Sequence, residues 1–71
     1  MRISIREKLL DKLDRQQGIT IQTLCQLAEE PIALVSEELR DMQNALLVYF
    51  KSQQYFLTAQ GAQQKEKGVK N

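Results

Sequence analysis

The side chains that could do chemistry in this chain are few, and the missing types exclude whole classes of activity. There is no histidine among the 71 residues, and Cys25 is the single cysteine. A disulfide needs two cysteines and a zinc site needs several cysteine or histidine ligands, so the sequence predicts neither. It also contains no glycine-rich phosphate loop and no nucleophile with a recognisable base. We therefore expect no enzyme activity, no metal and no cofactor.

The best-placed polar side chains suit hydrogen bonding to a nucleic acid instead. Ser36 and Arg40 lie four residues apart in a segment with helical periodicity. An arginine can bind guanine or a phosphate, and a serine can bind a phosphate. Further along, Lys51 and Gln53 stand in a polar loop that could touch the DNA backbone. The residues predicted to face DNA are Ile32, Ala33, Ser36, Glu37, Arg40, Lys51 and Gln53.

Charge opposes that interpretation and keeps a second one open. Ten basic and nine acidic residues leave a net charge of +1, whereas phosphate neutralisation usually makes a DNA-binding domain clearly basic. Five acids surround the same segment, namely Glu29, Glu30, Glu37, Glu38 and Asp41. The alternative is a protein-interaction or accessory module that does not bind nucleic acid. Its contact residues would be Pro31, Ile32, Ala33 and Leu34, or Tyr49 and Phe56.

Apolar spacing and capping residues predict three helices before that loop. Helix 1 follows a capping box of Ser4 and Glu7 and is expected to close at Gly18 through a left-handed glycine. Helix 2 begins after Thr20, and helix 3 opens at Pro31 and runs to about Ala45. The apolar positions assigned to these helices are Ile5, Leu9, Leu10, Leu13, Ile21, Leu24, Leu27, Ala28, Val35, Leu39, Met42 and Leu46.

Two short β-prone runs, 47–50 and 55–57, predict a hairpin centred on Ser52 and Gln53. Symmetrical pairing puts Tyr49 opposite Phe56, on the face away from the core. These two aromatics are the candidate partner-binding residues, through which a homodimer could form. The remaining pairs would be Val48 with Leu57 and Phe50 with Tyr55, while Ile19 adds a short stub of strand.

Thr58 then caps a short last helix from Ala59 to about Lys65. Residues 1–64 are predicted as one domain and 65–71 as a flexible basic tail.

Four phrases in the chain carry a family resemblance. They are Leu24-Cys25-x-x-Ala28, Val35-Ser36-x-x-Leu39-x-x-Met42, Leu47-Val48 and Tyr55-Phe56-Leu57-Thr58-x-x-Gly61. Their order and spacing resemble the winged helix-turn-helix domain of small bacterial transcriptional regulators. The resemblance implies an α+β, mainly α, fold with a three-helix core, a two-stranded wing and a short C-terminal helix. It also implies a small DNA-binding regulator that points helix 3 toward the major groove.

The chain departs from that family pattern at three places. Glu29 and Glu30 stand where the family commonly has glycine and then an apolar residue. The stretch 31–34 is apolar where the family has Ser, Thr, Gln or Arg, and Leu46 replaces a glycine before the wing. The first two departures bear on DNA reading, and the third bears only on the geometry at the end of the helix.

The layout is also similar to the small winged-helix accessory proteins of ferrous-iron uptake. Some of those carry a cysteine cluster in the wing, and Lys51 to Gln54 here contain no cysteine. That resemblance therefore implies no iron–sulfur chemistry in this chain. A lone thiol suits a reducing cytoplasm, and no apolar run approaches the length of a membrane span. We expect a cytoplasmic protein that does not enter a membrane.

Overall fold

The computed structural model describes residues 3–69, and within them the chain forms four helices and one two-stranded sheet. The elements are α1 (Ile5–Lys12), α2 (Ile21–Ala28), α3 (Ile32–Asn44), β1 (Val48–Lys51), β2 (Gln54–Leu57) and α4 (Ala59–Val69). The first three helices pack together, and α4 packs against α1 and β2. This arrangement confirms the predicted fold class: a mainly α, winged helix-turn-helix plan with a hairpin wing and a C-terminal helix.

Side-chain caps begin three of the four helices, as the sequence predicted. The Ser4 hydroxyl accepts a hydrogen bond from the Glu7 N–H at 3.2 Å, and the Glu7 carboxylate accepts one from the Ser4 N–H at 3.2 Å. Thr20 caps α2 through the Thr23 N–H, and the Thr58 hydroxyl accepts from an N–H in the first turn of α4. Each cap satisfies backbone donors that have no partner within the helix. Pro31 lies directly before α3 in an extended conformation. The helix therefore begins at Ile32, one residue later than predicted.

The predicted end of helix 1 at Gly18 is wrong. The helix ends at Lys12, because Leu13 turns into an extended conformation and buries its side chain completely. Gly18 does not adopt a positive φ. Its role is close packing: a Cβ there would lie 2.6 Å from both Gln54 Cβ and Phe56 Cζ of the wing. The glycine lets β2 approach the loop between α1 and α2.

The loop after α1 is organised by Asp14. Its carboxylate accepts hydrogen bonds from the backbone N–H groups of Gln16 and Gln17 at 3.0 and 3.1 Å. These bonds, the one from Gln16 foremost, favour the ionised form and lower the pKa of Asp14 below its ordinary 3.8. The stabilisation is therefore present above that value and is lost as the pH falls through the lower folded-state pKa.

We expect Asp14→Asn to lower the free energy of unfolding at neutral pH and to have a smaller effect at about pH 2, where the Asp14 carboxylate is increasingly protonated. Urea denaturation of the variant and the wild type at both pH values measures this. An equal difference at both pH values would show that the charge of Asp14 contributes nothing.

The core confirms most of the predicted apolar positions. Leu9, Leu13, Leu24, Val35, Leu39 and Met42 are completely buried, and Leu10, Ala28, Leu47, Val48 and Leu57 are nearly so. Ile5, Ile19, Ile21, Cys25 and Tyr55 pack partly buried against them. Leu27 and Leu46 are the two exceptions, with 47% and 66% of their surface exposed.

Leu46 is exposed because it reverses the chain at the end of α3. Its φ is 63°, in the left-handed region, and its N–H bonds to the Gln43 carbonyl. The next N–H, from Leu47, reaches back to the Met42 carbonyl at 2.9 Å. This pair of bonds defines a Schellman motif, which usually has glycine at the left-handed position. The reversal brings Leu47 into the core in place of Leu46.

Replacing Leu46 with glycine should therefore stabilise the protein. A left-handed conformation costs a residue with a Cβ roughly 1–2 kcal/mol, and the exposed side chain contributes little packing. We expect the free energy of unfolding to rise by about 1 kcal/mol in urea denaturation. Gln43→Gly is the control, since glycine inside α3 should lower stability by about 0.5–1 kcal/mol. A loss of stability in Leu46→Gly would contradict this account of the turn.

The wing has the predicted register. Val48 pairs with Leu57, Tyr49 with Phe56 and Phe50 with Tyr55 in an antiparallel ladder. Ser52 and Gln53 form the turn with φ of 52° and 63°, the conformation of a two-residue type I′ hairpin. Ile19 forms the predicted stub of strand, and its partner is Tyr55 on the outer side of β2.

Helix α4 is longer than predicted and is fastened to the end of α1. It continues to Val69 instead of ending near Lys65. The Lys65 ammonium donates to the Leu13 carbonyl at 2.8 Å, which ties the middle of α4 to the end of α1. Whether residues 65–71 are flexible stays a prediction, and Lys70 and Asn71 lie outside the described residues.

Candidate nucleic-acid interface

The orientation of α3 is set by its buried side chains. Val35, Leu39 and Met42 have no exposed surface, and successive residues of a helix are rotated by about 100°. The opposite side of the helix therefore faces solvent. It carries the exposed residues Ala33, Ser36, Glu37 and Arg40, which we call the α3 face. The α3 face brings four of the seven predicted DNA contacts together on one helix.

The other three predicted contacts are also exposed. Ile32 begins α3 with 54% of its surface exposed. Lys51 and Gln53 stand at the tip of the wing, on a separate element from the α3 face. The wing follows α3 closely in the chain, since β1 begins four residues after the helix ends. The predicted contacts therefore form two exposed surfaces, one on a helix and one on a hairpin.

Two carboxylates near α3 are neutralised by α1. The Arg6 Nε lies 2.6 Å from Glu38 Oε2, and the Lys8 Nζ lies 2.6 Å from Glu30 Oε2. The carboxylate side chains are only about one-fifth exposed, at 19% and 23%. The cations remain more than one-third exposed, and ion pairs at a protein surface contribute little to stability, typically about 0.2–1 kcal/mol. The main effect of the two ion pairs is to cancel negative charge beside the α3 face. The same pairs also engage two of the cations on α1, Arg6 and Lys8.

The remaining charges near the α3 face are mixed. Within residues 3–69, Glu29, Glu37, Asp41 and Arg40 make no ion pair within 4 Å. Glu29 occupies a left-handed position at the end of α2, with a φ of 56°. It therefore stands at the turn and not on the α3 face. The α3 face itself carries one acid and one base, Glu37 and Arg40, three residues apart.

Apolar side chains are exposed on both sides of the turn between α2 and α3. Leu27 exposes 47% of its surface and Leu34 exposes 48%, with Ile32 close in sequence. We call these three residues the apolar corner. The helical stripe of the sequence had assigned Leu27 to the core. An apolar stripe does not distinguish a side chain that faces the core from one at its edge.

The aromatic residues of the wing form two cross-strand pairs. The rings of Tyr49 and Phe56 stack with centroids 5.2 Å apart and planes 12° from parallel. Tyr49 is exposed, whereas Phe56 is half-buried beside Gly18. On the other face, Phe50 and Tyr55 have centroids 4.8 Å apart. The predicted partner-binding pair is therefore in contact, with Tyr49 the more accessible member.

Other kinds of site find no support in the described residues. Residues 3–69 contain no group of three or more His, Cys, Asp or Glu side chains that could hold a metal ion. In the same range no helix is both long and apolar enough to cross a bilayer. Cys25 is half-buried against the core. An open groove between the Asp14 loop and α4 has a mixed lining that includes Arg15, Lys65 and Glu66.

A comparison with protein-family models and a comparison with curated proteins each gave no match to this chain.

Sequence reasoning found the exposed α3 face and missed the two ion pairs. Arg6 and Glu38 are separated by 32 residues, and Lys8 and Glu30 by 22. No local signal links such residues. The only available hint was that basic positions on α1 and acidic positions around α3 occur in similar numbers.

Proposed function

We propose that this protein is a small DNA-binding transcriptional regulator of the winged-helix type, acting in the cytoplasm. The observation that carries the proposal is the neutralisation of Glu30 and Glu38 by Lys8 and Arg6. It removes two of the five carboxylates that argue against DNA near α3. On the α3 face, Ala33 is small and Ser36 and Arg40 are polar. A helix surface of this kind suits contact with a major groove.

In this mechanism each element has a distinct role. Arg40 binds a guanine edge or a phosphate, and Ser36 donates to a phosphate. Ile32 and Ala33 contact thymine methyl groups. At the wing tip, Lys51 and Gln53 bind the DNA backbone beside the groove. The base contacts would provide specificity, and the contacts to phosphate would position the domain.

The affinity of one copy should be weak and sensitive to salt. The α3 face contributes one cation, Arg40, and the wing contributes Lys51, so few counterions are released on binding. A regulator built this way gains useful affinity when two copies bind adjacent half-sites.

Two substitutions on the α3 face should change DNA affinity in opposite directions. Arg40→Ala removes the cation and should weaken binding by about tenfold or more. Glu37→Gln removes the carboxylate that repels phosphate and should strengthen binding by about 3- to 10-fold. Fluorescence anisotropy with a labelled random-sequence duplex at about 50 mM salt measures both, because non-specific binding is strongest at low salt.

The control is Lys67→Ala, which removes an exposed cation from α4. It should change affinity far less than Arg40→Ala although it changes the net charge equally. Equal losses in the two variants would place the interaction elsewhere on the surface. The absence of binding by the wild-type protein at low salt would refute the proposal.

A second function is favoured by the apolar corner. Leu27, Ile32 and Leu34 each expose about half of their surface, and Glu29 and Glu37 provide carboxylates nearby. Such a surface suits a basic amphipathic segment of another protein. In that case Ile32→Ser should abolish partner binding, whereas Arg40→Ala should leave it unchanged.

A further inference from the structure

An acidic residue occupies the position of α3 that points furthest from the core. Glu37 lies two residues after Val35 and two before Leu39, and neither of those residues has any exposed surface. At about 100° per residue, Glu37 is rotated by about 200° from each of them and therefore points away from the core. The residue is exposed accordingly. Any groove that α3 enters must accommodate this carboxylate.

The charge of Glu37 is not neutralised by an ion pair. The two ion pairs from α1 engage Glu38 and Glu30 instead. Arg40 follows one turn later on α3, yet in the described part of the chain, residues 3–69, it makes no ion pair with Glu37 within 4 Å. The carboxylate and the guanidinium of the α3 face thus both retain their hydrogen-bonding capacity for a ligand.

A major groove offers a carboxylate few hydrogen-bond donors. The base edges there present only two, the N4 amino group of cytosine and the N6 amino group of adenine. The adenine amino group lies between two acceptors, its own N7 and the O4 of thymine, and both repel a carboxylate. The cytosine amino group has an acceptor on one side only, the O6 of guanine. Cytosine is therefore the base that suits Glu37.

Arg40 adds a second base contact at a matching distance. It follows Glu37 by three residues, which corresponds to about 4.5 Å along the axis of a helix. In zinc-finger helices, residues at this spacing contact successive bases of the DNA. An arginine side chain donates two hydrogen bonds to guanine, at O6 and N7. The two side chains together therefore match two successive G·C pairs.

We propose, resting on the DNA-binding function above, that Glu37 selects a cytosine and Arg40 a guanine, so that the protein prefers duplexes with two successive G·C pairs. Glu37 accepts a hydrogen bond from the cytosine N4 amino group, and Arg40 donates to the guanine of the next pair. Every other base at the first position presents an acceptor to the carboxylate and is disfavoured. Specificity thus comes from the same group that weakens binding to random sequence.

The first experiment selects duplexes from a random library on the immobilised protein at about 50 mM salt. The pool bound by the wild type should be enriched in two successive G·C pairs. Glu37→Gln should select adenine in place of the cytosine, because glutamine bonds adenine N6 and N7 together, and should keep the second pair. Glu29→Gln is the matched control. It removes the same charge at the turn, outside the α3 face, and should select the same sequences as the wild type.

Two duplexes that differ at one base pair distinguish selection from simple repulsion. Fluorescence anisotropy should show that the wild type binds the duplex with the selected cytosine at least about fivefold more tightly than one with thymine there. Glu37→Gln should reduce this ratio to less than about twofold, because its amide can bond either base. Removing repulsion alone would strengthen binding to both duplexes by the same factor. An unchanged ratio in this variant would therefore overturn the proposal.

The outcome also separates this selection from DNA binding itself. Binding of the wild type without any base preference would overturn the selection of cytosine and leave the DNA-binding function in place. A Glu37→Gln pool that still carries the cytosine, from a variant folded by circular dichroism, would do the same. If the wild type retained no duplex at low salt, the selection and the proposed function would both be overturned.

Discussion

Gly61→Ala should strongly destabilise this protein, although alanine is normally the better residue inside a helix. A Cβ at position 61 would overlap the backbone carbonyl oxygen of Leu47 and would lie 3.1 Å from Leu57 Cδ2. The carbonyl cannot move freely, because it accepts a hydrogen bond from the Thr58 N–H at 3.0 Å. The Thr58 hydroxyl also donates to the Leu46 carbonyl at 2.6 Å. The N-terminus of α4 is thus fastened to the end of α3.

Relieving the overlap would separate these two segments. Overpacking costs about 1–3 kcal/mol, and each lost hydrogen bond about 1 kcal/mol more. We expect the free energy of unfolding to fall by about 3 kcal/mol, which is most of what a core of this size provides. Urea denaturation followed by circular dichroism measures it.

The control for Gly61→Ala is Gln64→Ala, an exposed position on the same helix. It should change stability by no more than about 0.5 kcal/mol. Helix propensity alone predicts that Gly61→Ala stabilises the protein by about 1 kcal/mol. An increase in stability would therefore contradict the packing of α4 against the end of α3.

Leu39→Ala should have an effect of similar size through a different mechanism. Leu39 has no exposed surface and belongs to the core that holds α3 against α1 and α2. Its truncation leaves a cavity, and such changes cost about 2–5 kcal/mol. We expect a loss of about 3 kcal/mol in urea denaturation.

Leu34→Ala makes the same chemical change on the same helix and serves as the control. Leu34 exposes 48% of its surface, so its truncation should cost less than about 1 kcal/mol. Similar losses at positions 34 and 39 would mean that α3 is rotated from the orientation described above. The α3 face would then consist of other residues, and the proposed DNA contacts would lose their basis.

The sequence predicts the elements of this fold better than the points where the chain changes direction. Caps such as Ser4 with Glu7 are local, and so is the hairpin register around Ser52 and Gln53. Both could be predicted because the residues that decide them are neighbours in the chain. The conformations and contacts of Gly18 and Leu46 could not be predicted in this way. Gly18 looked like a helix terminator, but its smallness serves contact with the wing, which depends on residues almost forty positions away.

Leu46 illustrates the converse case. Its spacing from Leu39 and Met42 predicted burial, and its left-handed conformation gives the core position to Leu47 instead. Few leucines adopt that conformation, so propensity argued against it. In the candidate site, exposure of Ser36 and Arg40 followed from the helical period. The charge state of the surroundings did not, because the ion pairs from Arg6 and Lys8 are tertiary contacts.

The most direct test of the central claim is an NMR titration of the ¹⁵N-labelled protein with an unlabelled random-sequence duplex at low salt. If α3 and the wing bind DNA, the amide shifts of Ser36, Arg40, Lys51 and Gln53 should move together and saturate. The amide shifts of α4 residues such as Gln63 and Gln64 should not change. A spectrum unchanged at millimolar duplex, or shifts confined to α4, would contradict the proposed function.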